Sequence, residues 1–133
     1  MAKVPNTTTF TLQDVCNVVL GNPTTLQECV NNAITSWYDG TYYTAPATSL
    51  YEFRNYGKTG VGINLGYNSF NPTTACSAST TYRYTDTGDL NTSNVIWTNA
   101  AGTSKAATGY YSNGSIARFW NSTAETLGSA SSC

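Results

Sequence analysis

At 133 residues, with a net charge of −1, six Lys and Arg and no histidine, the chain excludes several functions before any element is placed. Phosphate binding needs a basic footprint that six dispersed cations do not supply, so no nucleic-acid partner is expected, and no apolar run reaches the roughly 18 residues of a membrane span. The missing histidine removes the commonest general base and metal ligand, and with it the Ser-His-Asp and Cys-His arrangements.

Charged residues make up 10% of the chain, against about 25% in an average soluble domain, and aromatic residues 13%, ten of them Tyr. The surface is therefore one of hydroxyls and amides. The size allows one domain or two very small ones, burying about two-thirds of the unfolded surface. The first residues, Met1-Ala2-Lys3-Val4-Pro5-Asn6, lack the apolar region of a signal peptide, which sets the expectation of synthesis in the cytoplasm. A composition poor in Lys and Glu, rich in Tyr and Thr and holding four cysteines suits survival outside a cell, so the two readings pull apart.

Three segments begin alike. Thr11-Leu12-Gln13-Asp14, Thr25-Leu26-Gln27-Glu28 and Ser49-Leu50-Tyr51-Glu52 each place an acid three residues after a hydroxyl. The hydroxyl accepts an orphan N–H of a first helical turn, and the acid reaches back to the cap and favours the positive helix end. The pattern predicts helices near 11 to 20, 25 to 38 and 49 to 56. Gly21-Asn22-Pro23 stops the first, and Gly57 ends the third at a position free to take positive φ. Arg54, in the last turn of the third, is expected to be structural, with an acid or carbonyl as its partner. Between the second and third helices, Trp37-Tyr38-Asp39-Gly40-Thr41-Tyr42-Tyr43 joins a turn signal to four large rings.

The even number of cysteines permits three pairings. Cys16 and Cys29 fall in the first two predicted helices, where they are either a bonded pair or two thiols buried in a helical core. Cys76 and Cys133 remain; their bond would close a loop of nearly sixty residues and stabilise the tail by roughly 4 kcal/mol, and it is the pairing expected here.

From Val61 the period becomes strand-like: Val61, Ile63 and Leu65 alternate with Gly62, Asn64 and Gly66, followed by Tyr67 and a loop over 68–74. Beyond Cys76, short aromatic or β-branched pieces recur at Tyr82-Arg83-Tyr84, Val95-Ile96-Trp97, Tyr110-Tyr111 and 116–120. Between them lie the turns Asp86-Thr87-Gly88-Asp89, 99–102 and Ser112-Asn113-Gly114-Ser115. Asn113-Gly114 is a hairpin signal of the type with positive φ at both central positions. The expected fold class is α+β: a small N-terminal helical docking module over 1–57, followed by a short-stranded antiparallel β meander over 58–133.

Catalytic chemistry finds no pattern to rest on. The cysteines are too dispersed for a zinc site. Asp86 and Asp89 are the closest carboxylates, in a Gly-containing turn without an EF-hand pattern, and read as a solvated turn. Two carboxylates across a cleft would serve a glycosidase, but the seven acids show no such arrangement. No catalytic residue, metal or cofactor is expected. The rings beside hydroxyl-rich strands, Trp97, Trp120, Tyr82, Tyr84 and Tyr111 among them, are either half-buried sheet residues or stacking surfaces for sugars or a protein partner.

Phe10-Thr11-Leu12-Gln13-Asp14-Val15, the ring segment from Trp37 to Tyr43, and Leu50 followed by Phe53-Arg54-Asn55-Tyr56-Gly57 together give a front half that resembles a short module in virion proteins of phages infecting Bacteroidetes, including crAss-like phages. Cys76, Tyr82-Arg83-Tyr84-Thr85-Asp86, Gly109-Tyr110-Tyr111-Ser112-Asn113-Gly114 and Cys133 resemble a second small module in the same setting. Trp37-Tyr38-Asp39 stands where that pattern has Phe-Asp, and Trp97-Thr98-Asn99 where it has Tyr-Thr-Asp; both changes keep the ring and turn chemistry.

The resemblance implies a non-enzymatic virion structural protein, made in the host cytoplasm without a signal peptide and released by lysis. It points to a capsid decoration, auxiliary or head-fibre component. The alternative is a tail or fibre adaptor, a receptor-binding module recognising host surface glycans. The implied partners are other virion proteins and further copies of the chain. Three Trp, ten Tyr and four Phe exceed what two thin cores hide, so some rings are expected in subunit contacts. Interface cores favour Tyr, Trp and Phe and are depleted in Lys and Glu. The docking surface is accordingly expected at Trp37, Tyr38, Tyr42, Tyr43, Tyr51, Phe53, Arg54 and Tyr56, and an exposed tip at Asp86, Asp89, Asn113 and Gly114.

Overall fold

A computed structural model describes residues 3–43 and 49–133. The chain divides into two compact units, Met1–Lys58 and Thr59–Cys133, and its class is α+β, with short helices and a seven-stranded antiparallel sheet. No helix among the described residues is long and apolar enough to cross a membrane.

In the first unit the three hydroxyl–acid starts all nucleate a turn. Helix α1 (Leu12–Cys16) opens on a full capping box: the Thr11 hydroxyl accepts from the Asp14 N–H, and the Asp14 carboxylate accepts from the Thr11 N–H at 2.8 Å. Helix α2 (Leu26–Asn32) opens on Thr25, whose hydroxyl accepts from the Glu28 N–H. The third start yields a 3-10 turn, Leu50–Phe53, with the Ser49 N–H donated to Glu52 at 3.0 Å. In each, the residue directly after the acid, Val15, Cys29 or Phe53, is fully buried.

The helices are shorter than the predicted spans. α1 ends at Cys16 rather than 20. The second span breaks at Ala33, which is extended, before a separate 3-10 turn at Thr35–Trp37. Packing explains the early stop of α1: the neighbours Val18 and Val19 are both buried, and in a continued helix adjacent side chains would diverge by about 100°.

The unit's core is a cluster of rings. Phe53 and Tyr56 meet edge to face at 5.4 Å, Tyr38 lies 5.1 Å from Phe53 and 5.0 Å from Tyr56, Tyr43 stacks on Tyr38 at 3.9 Å, and Trp37 lies 5.8 Å from Tyr56. Such pairs contribute about 0.5–1.5 kcal/mol each beyond the area they bury. The Tyr56 hydroxyl accepts from the Ile34 N–H at 2.9 Å. The backbone around Tyr56 holds the unit's N-terminal segment: Val4 donates to the Tyr56 carbonyl, Asn55 to that of Pro5, and Gly57 to that of Trp37. Gly57 takes the positive φ expected of it.

The second unit is built on β1 (Val61–Asn68), β2 (Thr80–Thr85), β3 (Ile96–Trp97), β4 (Gly109–Ser112), β5 (Ile116–Asn121), β6 (Thr126–Leu127) and β7 (Ser131–Ser132), in the order β3-β2-β1-β4-β5-β6 with β7 also on β5. This corrects the expected single meander. β1 to β3 form one meander and β4 to β6 another, and β4 returns to pair with β1 instead of following β3. The reason lies at the edge of β3, which is already occupied: Ala106 donates to the Ile96 carbonyl, Thr98 to that of Ser104, and Trp97 bridges Lys105. The next strand therefore takes the other free edge, that of β1.

Register sorts the residues into two faces. Leu65, Thr85, Ile96, Tyr111 and Trp120 point to one, where they are buried with Leu90, Val95 and Ala106. Trp120 donates its indole N–H to the Ala106 carbonyl at 3.0 Å, and the Tyr111 hydroxyl donates to that of Ala107 at 2.7 Å.

On the opposite face the row Gly66, Ser112, Ala117 is covered by helix α3 (Pro72–Ser77), whose first half falls in the 68–74 stretch expected to be a loop. Asn71 caps it through the Thr73 and Thr74 N–H groups, and Pro72 fills the first helical position, where no N–H is needed. α3 comes so close that a Cβ at position 66 would strike the Ala75 carbonyl, which accounts for Gly66. Cys76 of α3 is disulfide-bonded to Cys133, as expected.

The β4–β5 hairpin turns one residue later than predicted. Asn113 donates to the Ile116 carbonyl, which makes Gly114 and Ser115 the central residues, and only Gly114 has positive φ. The Asn113 side chain instead accepts from the Ser115 and Ile116 N–H groups.

Candidate functional site

Each of the seven carboxylates has a partner within the fold. Asp14 and Glu52 close their caps, and Glu28 accepts from the Thr24 and Thr25 hydroxyls. Asp39 accepts from the Thr41 N–H and the Asn55 amide, Asp89 from the Asn91 N–H, and Glu125 pairs with Lys105 at 3.4 Å. The bond from Asn55, followed by that from Thr41, holds the Asp39 carboxyl below its ordinary range. No group of three metal-ligating side chains occurs among the described residues.

Asp86 departs from its expected place at an exposed tip. It is buried, with one oxygen accepting from the Asn94 N–H at 2.8 Å and the other from the Asn94 side-chain amide at 2.9 Å. The carboxylate is the inner brace of the 86–94 loop, which is why the loop can turn back over the sheet. Asp89, Asn113 and Gly114 are exposed.

The strongest polar constellation of the second unit is Arg118, which the sequence does not single out. Its guanidinium donates only to backbone carbonyls: Nε to Gly128, Nη2 to Leu127, and Nη1 to Leu90 and Ser93, with a longer bond to Asn91. One side chain thereby ties the 90–93 loop to the 127–128 segment. Desolvation lowers its pKa, opposed by the charge of Asp86.

The expected docking residues separate into two groups. Trp37, Phe53 and Tyr56 are buried in the ring cluster and hold the unit together, a correction to their place on a docking surface. Burial pushes Tyr56 up, and pushes Tyr38 up to about 12, aided there by Tyr43. Tyr38, Tyr42, Tyr43 and Arg54 are half-buried, and Tyr51 is 68% exposed, edge-on to Phe10. Arg54 donates from Nε to the Asn6 side-chain carbonyl at 2.9 Å, and its guanidinium sits 4.4 Å over the Tyr42 ring. Its partners are thus an amide carbonyl and an aromatic face.

The second unit carries exposed rings on the sheet face that α3 only partly covers. On one side of the helix, Tyr82 stands opposite Asn64 and Tyr84 opposite Gly62. The Tyr82 ring lies across Gly62, where a Cβ would displace it, and meets Tyr84 edge to face at 5.3 Å, yet it stays 54% exposed. On the other side Tyr110 and Phe119 pair at 5.0 Å, and Phe70, at the start of the turn into α3, is 89% exposed. Phe70 was missed because an isolated ring in a polar loop carries no periodic signal.

A scan against protein-family models found no match, and neither curated proteins nor solved structures yielded one.

Proposed function

We propose that the chain is a non-enzymatic structural protein of a phage particle, with the first unit docking to neighbouring virion proteins and the second presented to solvent. The observation that carries this reading is the use made of the polar groups: every carboxylate braces a cap, turn or loop, while the rings of Tyr51, Phe70 and Tyr82 are left to solvent. Low charge together with exposed rings is the bias of surfaces that meet other protein surfaces. The sequence resemblance supplies the setting, a capsid decoration, auxiliary or head-fibre component that assembles with its own copies.

The test is an antiserum raised against the chain and applied to purified particles, combined with sedimentation of the isolated protein. Co-purification with particles at stoichiometric copy number is expected, as is self-association at high concentration. A strictly monomeric protein absent from particles would sink the reading. One observation favours a second role: Tyr82 flat across Gly62 beside the exposed Asn64 offers a ring with an adjacent amide, a pairing that suits a sugar. Binding of the isolated protein to host cells, abolished by Tyr82→Ala, separates a glycan-binding adaptor from pure decoration.

A further inference from the structure

We infer that Cys16 and Cys29 form a second disulfide site, one that closes between α1 and α2 when the chain meets a low-molecular-weight disulfide such as oxidised glutathione. The two sulfurs stand 3.4 Å apart as thiols. A disulfide bond is about 2 Å long, so side-chain torsions on two short helices have little distance to cover. Neither thiol is needed to start its helix: α1 and α2 are capped by Thr11 and Thr25.

Access sets the order of events. Cys29 is fully buried and Cys16 partly exposed, so Cys16 is the sulfur an external disulfide reaches. Its thiolate attacks one sulfur of the reagent and expels the first thiol, leaving a mixed disulfide on Cys16. The Cys29 thiolate then attacks the Cys16 sulfur, forms the internal bond and expels the second thiol. Two thiol protons and two electrons leave the pair, and the external disulfide is reduced to two thiols. Burial raises the Cys29 pKa, so the closing step quickens as pH rises.

The full chain is treated with oxidised glutathione, quenched by alkylation and digested. Trypsin leaves Cys16 and Cys29 together in the peptide 4–54 and separates Cys76 from Cys133, in 59–83 and 119–133, so the two bonds are read independently. The expected result is a 4–54 peptide lighter by two hydrogens and inert to alkylation, which cleavage after Glu28 splits only once reductant is added. It is accompanied by a rise in Tm of roughly 5 °C or more that Cys16→Ser abolishes. Glutathione held on Cys16 with Cys29 still a thiol, or both cysteines still alkylated, overturns the inference. The peptide mass decides this on the unaltered chain, even where the variant fails to fold.

Discussion

The two units reach stability by different means from similar material. The first contains 58 residues, has both its cysteines reduced, and rests on hydroxyl–acid caps around a knot of rings. The second is a sheet closed by a disulfide and by a guanidinium that gathers carbonyls from two segments. A unit of this size buries too little surface to be secure on burial alone. Ring against ring meets that shortage where the chain is a series of short turns close in sequence. Distant segments of a short-stranded sheet need cross-links instead.

Breaking the covalent link tests the contrast most severely. Reduction of Cys76–Cys133, or Cys133→Ala, is expected to cost the second unit about 4 kcal/mol. Hydrogen exchange on the full chain should show protection lost across β4 and β5 while α1 and α2 stay unchanged. Equal loosening of both units would refute the division. Next in size is Arg118→Met, which leaves the Leu90, Ser93, Leu127 and Gly128 carbonyls without their donor; a loss of about 3 kcal/mol is expected, read by chemical denaturation, with exchange rising first in 90–93 and 127–128.

In the first unit Tyr56→Phe keeps the ring and removes only the acceptor for the Ile34 N–H, so a loss of about 1–2 kcal/mol is expected; no change would mean that the ring alone matters. The same cluster sets an alkaline limit. Tyr38 and Tyr56 titrate above the ordinary tyrosine value near 10, so the unfolded chain loses protons first. Their contribution is present in full below about pH 10 and declines as pH climbs towards 12. Tyr111, pushed up to about 12 by burial, extends that limit to the second unit. Tyrosinate absorbance followed against unfolding checks the window, and a decline that begins well below pH 10 contradicts it. The smallest effect is expected from Arg54→Met, a loss of about 1 kcal/mol of stability through the Asn6 bond and the Tyr42 face. A turnover that disappears with Arg54 would overturn its structural role.

Local chemistry was legible in the residues, and its consequences over distance were not. The three starts at Thr11, Thr25 and Ser49 could be read because a cap needs only its own first turn. The strand at Val61 could be read because alternation is a property of neighbours. The length of α1 could not, since Val18 and Val19 leave the helix to fill a core whose other walls come from elsewhere. Asn71-Pro72 did carry a cap signal for α3, hidden inside a stretch that otherwise reads as loop. Asp86 and Asp89 look alike in sequence, but Asn94 folds back onto one of them and not the other.

The amino-acid sequence by itself determined where turns nucleate, which stretches alternate and that no histidine chemistry is available, because these depend on residues within a few positions of one another. Only the tertiary structure decided that β4 joins β1, that Arg118 gathers the carbonyls of two segments, that Trp37, Phe53 and Tyr56 are core while Tyr51, Phe70 and Tyr82 face water, and that Cys16 and Cys29 stand within reach. Each of these depends on which distant segments compete for one edge or one cavity, and that competition is resolved when the chain closes on itself.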